Sequence, residues 1–119
     1  MKKGRIADIY VFLAKARMTK LTDDEKVVII TMLRQMKPVA NEVTEAVQEA
    51  SRKALEEYPN DIHSAQKLVN KSIEGLMNEE VDSMNLRVFK QDAFNRLCFS
   101  NEWTFEQIDN LQQDILFTE

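Results

Sequence analysis

Apolar residues at Ile29, Leu33, Met36, Ala40, Val43, Val47, Ala50 and Ala54 step along the chain by 4, 3, 4, 3, 4, 3 and 4. Only an α-helix turns that spacing into a continuous stripe, so residues 29–54 are constrained to one long helical seam. Met32, Val39 and Ala46 widen the stripe on one side. A seam this wide suits a multi-helix core better than a two-stranded coiled coil, and the alanines at its far end permit close helix approach. Thr22-Asp23-Asp24-Glu25 reads as a capping box just before it, with acids at the positive end of the helix dipole. Pro38 falls on the outer face, where it removes a backbone donor and clashes with the carbonyl four residues earlier, at a cost of about 3 kcal/mol. Because the seam keeps its phase across Pro38, one kinked helix is expected. The alternative is a break at Met36 and Lys37, with Pro38 restarting a second helix.

Ile6, Ile9, Tyr10 and Leu13 recur at helical spacing and predict a first helix over roughly residues 5–17. Val11 and Phe12 broaden its apolar surface, so a second element must cover them or they must face a partner; burial is the expectation. Tyr58-Pro59-Asn60-Asp61 ends the long helix, and Asn60 or Asp61 can cap the next. Ile62, Ala65, Val69, Ile73 and Leu76 then define a returning helix that stops around Asn78 or continues to Met84. A connection this short predicts an antiparallel hairpin. Residues 81–89 stay open: Met84, Leu86 and Val88 alternate as in an extended segment, but a helix also fits. Lys90 to Leu97 reads as a short helix with Phe94 and Leu97 inward. Thr104-Phe105-Glu106-Gln107 is a second capping box, opening a helix that carries Phe105, Ile108, Leu111 and Ile115. Five of the six phenylalanines and Trp103 lie in the last 31 residues, where they are expected to close one end of the hairpin.

Two glycines and two prolines in 119 residues are too few for the turns of a sheet-rich fold. The expected architecture is therefore all-α, a single helical domain over residues 1–119. In it, a long kinked helix and a returning helix form an antiparallel hairpin, with short N- and C-terminal helices packed on it.

The net charge of −4 is unevenly spread. Lys2, Lys3, Arg5, Lys15, Arg17 and Lys20 face only Asp8 in the first 20 residues, while the remainder holds ten basic and nineteen acidic groups. No Lys or Arg follows Arg96, whereas Glu102, Glu106, Asp109, Asp114 and Glu119 do. Opposite patches are expected to match within the chain or across a dimer; steering of a partner is the alternative. The basic end, with Tyr10, has groups that contact phosphates, but a pI of about 5.1 argues against dedicated nucleic-acid binding. The acids Glu42, Glu45 and Glu49 share one side of the long helix. They read as a solvated face, with Glu49 four residues before Lys53, rather than as a docking ridge.

Catalytic chemistry finds few groups to work with. Cys98, the only cysteine, can form no intramolecular disulfide and fits a reducing compartment. Its position between Leu97 and Phe99 predicts a buried, inert thiol. His63 is the only histidine, and Asn60 stands three residues before it, so neither a Glu-x-x-His metal motif nor a zinc ligand set can be assembled. Gly4 and Gly75 are too far apart for a phosphate loop, and there is no Gly-x-Ser-x-Gly elbow. No catalytic residue, cofactor or metal site is expected. Residues 9–14 form an apolar run far shorter than a signal peptide or the roughly 20 residues of a membrane span requires, so a cytoplasmic protein is expected.

The run of residues 6–13, Lys20-Leu21, Met32-Leu33-Arg34, Lys37-Pro38-Val39-Ala40, Glu49-Ala50 and Asn101-Glu102-Trp103-Thr104 together resembles small all-helical proteins of gut bacteria and their prophages. The resemblance implies a short helix ahead of a long helical hairpin, with a short tail returning at the end. It also implies a phage or mobile-element origin, and a role in particle assembly or in blocking a host system. It carries no catalytic residue. The resulting expectation is a non-enzymatic structural or interaction protein that self-associates, as a dimer, with Lys2, Lys3, Arg5, Val11, Phe12, Lys15 and Arg17 as the candidate interaction surface. An inhibitor gripping a host protein through the acidic C-terminal region, and a nucleic-acid binder using the basic N-terminus, are the alternatives.

Overall fold

The seam dictates the longest element. In a computed structural model that describes residues 1–81, 89–113 and 117–118, α1 spans Lys3–Ala14, α2 Asp23–Glu57, α3 Ile62–Met77, α4 Gln91–Asn101 and α5 Phe105–Gln112. Two-residue strands, β1 (Phe89–Lys90) and β2 (Phe117–Thr118), pair in parallel with Phe89 opposite Phe117. Among the described residues the regular structure is otherwise helical, with one isolated antiparallel bridge between Lys2 and Glu80.

α2 opens on its capping box. The Thr22 N–H donates to Glu25 Oε1 at 2.8 Å and the Glu25 N–H donates to Thr22 Oγ1 at 3.3 Å. The helix then runs without interruption through Pro38, so the alternative of two separate helices does not hold. Pro38 is exposed, while Met36 and Ala40 on either side of it are buried. Along the seam Ile29, Met36, Ala40, Val43 and Ala54 are buried, with Met32 beside them, and Leu33, Val47 and Ala50 are partly so.

Packing divides the chain into two compact units, one of Met1–Asp8 with Met36–Asp82 and the other of Ile9–Gln35 with Ser83–Glu119. In the first unit Ala54 of α2 clusters with Ala65 and Val69 of α3, and Ala50, Leu68 and Ile73 pack around them. Three of these six are alanines, whose short side chains let helix backbones approach closely. Of the two candidate caps, Asp61 is the one used: its carboxylate accepts from the Ser64 N–H at 3.1 Å and the Ser64 hydroxyl at 2.6 Å. α3 stops at Met77 because Asn78 closes it, donating its backbone N–H to Glu74 and Leu76 carbonyls and its side-chain amide to Glu74 O at 3.0 Å. The chain start pairs with residues 79–81 through Lys3 N–H to Glu79 O at 2.9 Å and Val81 N–H to Met1 O at 2.8 Å. Gly4 permits this approach, since a β-carbon there would lie 3.2 Å from the Met77 side chain and carbonyl.

In the second unit Ile9, Leu13, Leu21, Ile29, Met32, Phe94, Leu97 and Leu111 are buried. α1 ends at Ala14 rather than near residue 17. The backbone of Arg17 turns instead to Asn101, whose side chain accepts from the Arg17 N–H at 2.6 Å and donates to the Arg17 carbonyl at 2.9 Å. α4 extends past Leu97 to Asn101, with Ala93, Phe94, Leu97 and Cys98 as its buried residues. α5 opens on its predicted box, with Gln107 N–H to Thr104 Oγ1 at 3.2 Å and Thr104 N–H to Gln107 Oε1 at 2.9 Å. The open question over residues 81–89 falls mainly outside the described residues, as does Ile115.

Two expectations of burial fail. Val11 is 50% exposed and Phe12 only partly buried. Phe99 and Phe105 are exposed by 75% and 82%, so the C-terminal aromatics are not a common plug. Phe99 follows Cys98 directly and so falls off the inward face of α4, while Phe105 sits at the very start of α5.

Candidate interaction surface

The basic candidates divide between the two units. In the first, Lys2 is exposed and forms the isolated backbone bridge with Glu80, and Arg5 is partly buried with a partner of its own. Lys3 is held inside the chain: its ammonium donates to both oxygens of Glu42 at 2.9 and 3.1 Å and lies 2.7 Å from Glu79. The hydrogen bond to Glu79, then that to Glu42, raises the Lys3 pKa above its ordinary value. The N-terminal ammonium lies 3.3 Å from Glu80. At this end the basic and acidic patches therefore meet within one chain. The acids of α2 are engaged as well, with Glu49 at 2.6 Å from Arg52 and 3.8 Å from Lys53. Exposed pairs of this kind contribute little stability, so they describe a solvated face.

The strongest polar constellation in the second unit was not legible from local pattern. Arg96 of α4 grips the capping carboxylate of α2 with two parallel bonds, Nη1 to Glu25 Oε1 at 2.7 Å and Nη2 to Oε2 at 2.8 Å. The same guanidinium donates to Lys20 O at 3.0 Å. Glu25 thus closes its own helix and ties α4 to the turn before it. The Arg96 side chain, and after it the Thr22 N–H, hold the Glu25 carboxyl down at about 2, against an ordinary 4.5. A carboxylate whose folded pKa is depressed stabilises the fold fully above its unfolded pKa and loses that contribution as the pH falls through the folded one. Stability is accordingly expected to drop between about pH 5 and pH 2. Thermal melts of the wild type and Glu25→Gln check this: the variant should be less stable at pH 7, with the gap closing as the pH falls through that window. An unchanging gap would mean the pair does not form.

α4 also borders an open groove of about 460 Å³, lined by Asn95, Cys98, Phe99, Glu102, Trp103 and Ile108. Trp103 is braced by Phe12, whose ring centroid lies 4.6 Å away at a tilt of 36°. Of the sequence candidates, Phe12 thus supports the groove wall, and Val11, Lys15 and Arg17 are exposed in the same unit. Glu102 follows the last turn of α4 with φ 52, a left-handed conformation that glycine adopts without strain and glutamate does not. Glu102→Gly is expected to stabilise the monomer by about 0.5–1 kcal/mol, as read by urea denaturation.

The groove offers apolar walls with one carboxylate and one carboxamide. Its thiol is a poor nucleophile, since burial pushes the Cys98 pKa up. Among the described residues no group of three or more His, Cys, Asp or Glu side chains is placed to hold a metal ion, and no helix is long and apolar enough to cross a membrane. His63 stands exposed in the first turn of α3. The arrangement is suited to binding an apolar surface. No protein-family model, curated protein or solved structure matches the chain.

Proposed function

We propose that the protein is a non-enzymatic structural or interaction protein that self-associates through the apolar surface around Phe99 and Phe105. The observation that carries this reading is the exposure of those two rings, 75% and 82%, on the same unit as an open apolar-walled groove. A phenylalanine buries roughly 150–250 Å² when covered, so each ring left in water offers apolar surface that association removes at a gain. In the same reading α2 and α3 form an antiparallel hairpin. The short connection over residues 58–61 and the Ala54, Ala65 and Val69 cluster support that arrangement. The proposed setting is an assembly role on a phage or mobile element, which rests on the resemblance alone, in the cytoplasm, which rests on the shortness of the apolar run over residues 9–14.

The test is sedimentation of the wild type beside Phe99→Gln/Phe105→Gln. The wild type should sediment as a dimer or larger species and the variant as a folded monomer with unchanged helix content. Equal behaviour of the two would remove these rings from the interface. A second reading, capture of another protein by this end, draws on the exposed acids Glu102, Glu106 and Asp109. It predicts instead a monomer that gains a partner from host lysate, and loses it at high salt.

A further inference from the structure

Self-association leaves open which face meets which. The second unit carries an anion, a cation and an apolar surface side by side. Asn101 clamps the backbone of Arg17 through its N–H at 2.6 Å and its carbonyl at 2.9 Å, which holds the Arg17 backbone against the residue that precedes Glu102. Phe12 stacks on Trp103 of the groove wall, and its chain neighbour Val11 is half exposed. Glu102 lines the groove from a backbone conformation that costs stability to hold. Strain of this kind persists where something else is gained from it. Covering the groove with an apolar partner alone would take two exposed charges, Glu102 and Arg17, out of water with no polar group offered to either, which is costly. Residues 97–119 contain no Lys or Arg, so they supply no cation to Glu102.

We infer that the groove is one half of a two-fold interface with a second copy of this chain, in which Glu102 of each copy pairs with Arg17 of the other and the exposed Val11 seats against the opposite groove. This rests on the self-association reading and gives it a surface. In a two-fold contact, residue i meets j while j meets i, so one patch must carry both members of every pair. A patch with the Arg17 backbone anchored to the residue before Glu102 meets that condition, and each ion pair is made twice. A guanidinium is the suitable partner because it binds a carboxylate with two parallel bonds. The groove's opening beside Phe99 is then covered from both sides.

A charge-exchange cycle tests it, with dimer dissociation constants measured by sedimentation and folding checked by circular dichroism. Glu102→Lys and Arg17→Glu should each weaken the dimer by about tenfold or more, since each places like charges together twice. The double variant, with the charges exchanged, should recover most of the wild-type affinity. Both side chains are exposed, so the variants should fold; Glu102→Gln serves as the milder version and should weaken the dimer less than Glu102→Lys. A double variant as weak as the sum of the singles would overturn the pairing. If all variants dimerise like the wild type, the interface lies elsewhere and this inference fails while self-association stands. A wild type that is monomeric at every concentration would end both.

Discussion

Phe94→Ala is expected to destabilise the protein by about 3–5 kcal/mol, the cost of removing a large ring from a site that cannot collapse around the void. Phe94 is 1% exposed, and Ala93 and Leu97 on the same face of α4 are equally closed off from water. Folded domains are stable by roughly 5–15 kcal/mol, so this change takes a large share and should shift the urea midpoint far to the left. The matched control is Phe105→Ala. That ring is 82% exposed, and its loss should move monomer stability by no more than about 0.5 kcal/mol. The same chemical change thus gives opposite outcomes eleven positions apart. Similar effects at the two sites would contradict the assignment of one ring to the core and the other to an interface.

Pro38→Ala is expected to stabilise, by about 2 kcal/mol. Proline inside a helix forfeits a backbone hydrogen bond and crowds the carbonyl four residues back, here that of Arg34. Pro38 and Arg34 are both exposed, so alanine meets no neighbour and can restore the bond. Part of the gain is offset because proline also restricts the unfolded chain, by roughly 0.4–1 kcal/mol. Paired urea denaturation curves read the difference. A loss of stability would show that a bend at Pro38 is needed to seat Met36 and Ala40, which flank it in the core.

Much of the fold was legible because its signals are local. The 4-3 stepping from Ile29 to Ala54 specifies one buried stripe whatever surrounds it, and Pro38 could be placed outside that stripe from phase alone. Both capping boxes were readable because hydroxyl and acceptor stand three residues apart. What escaped depends on contacts distant in sequence. The pairing of Arg96 with Glu25 spans 71 positions, and nothing near Glu25 announces a second role for its carboxylate. The early end of α1 follows from Asn101, 84 positions from Arg17. Counting aromatics near the C-terminus suggested a plug, but number does not give direction. Phe94 and Leu97 use up the inward face of α4, which leaves Phe99 outside. The left-handed backbone at Glu102 was likewise hidden, since glutamate is not a residue that marks such a position. Of the predicted surface, Val11, Phe12, Lys15 and Arg17 fall in one unit with the groove, while Lys3 serves internal ion pairs.

Light scattering on a sizing column, at low and high salt and across a wide range of protein concentration, tests the central claim most directly. A dimeric mass at both salts, with at most a modest loss at high salt, is the predicted result, because in the proposed interface apolar rings supply the contact and Glu102 with Arg17 sets its register. A mass corresponding to one chain under every condition would contradict self-association.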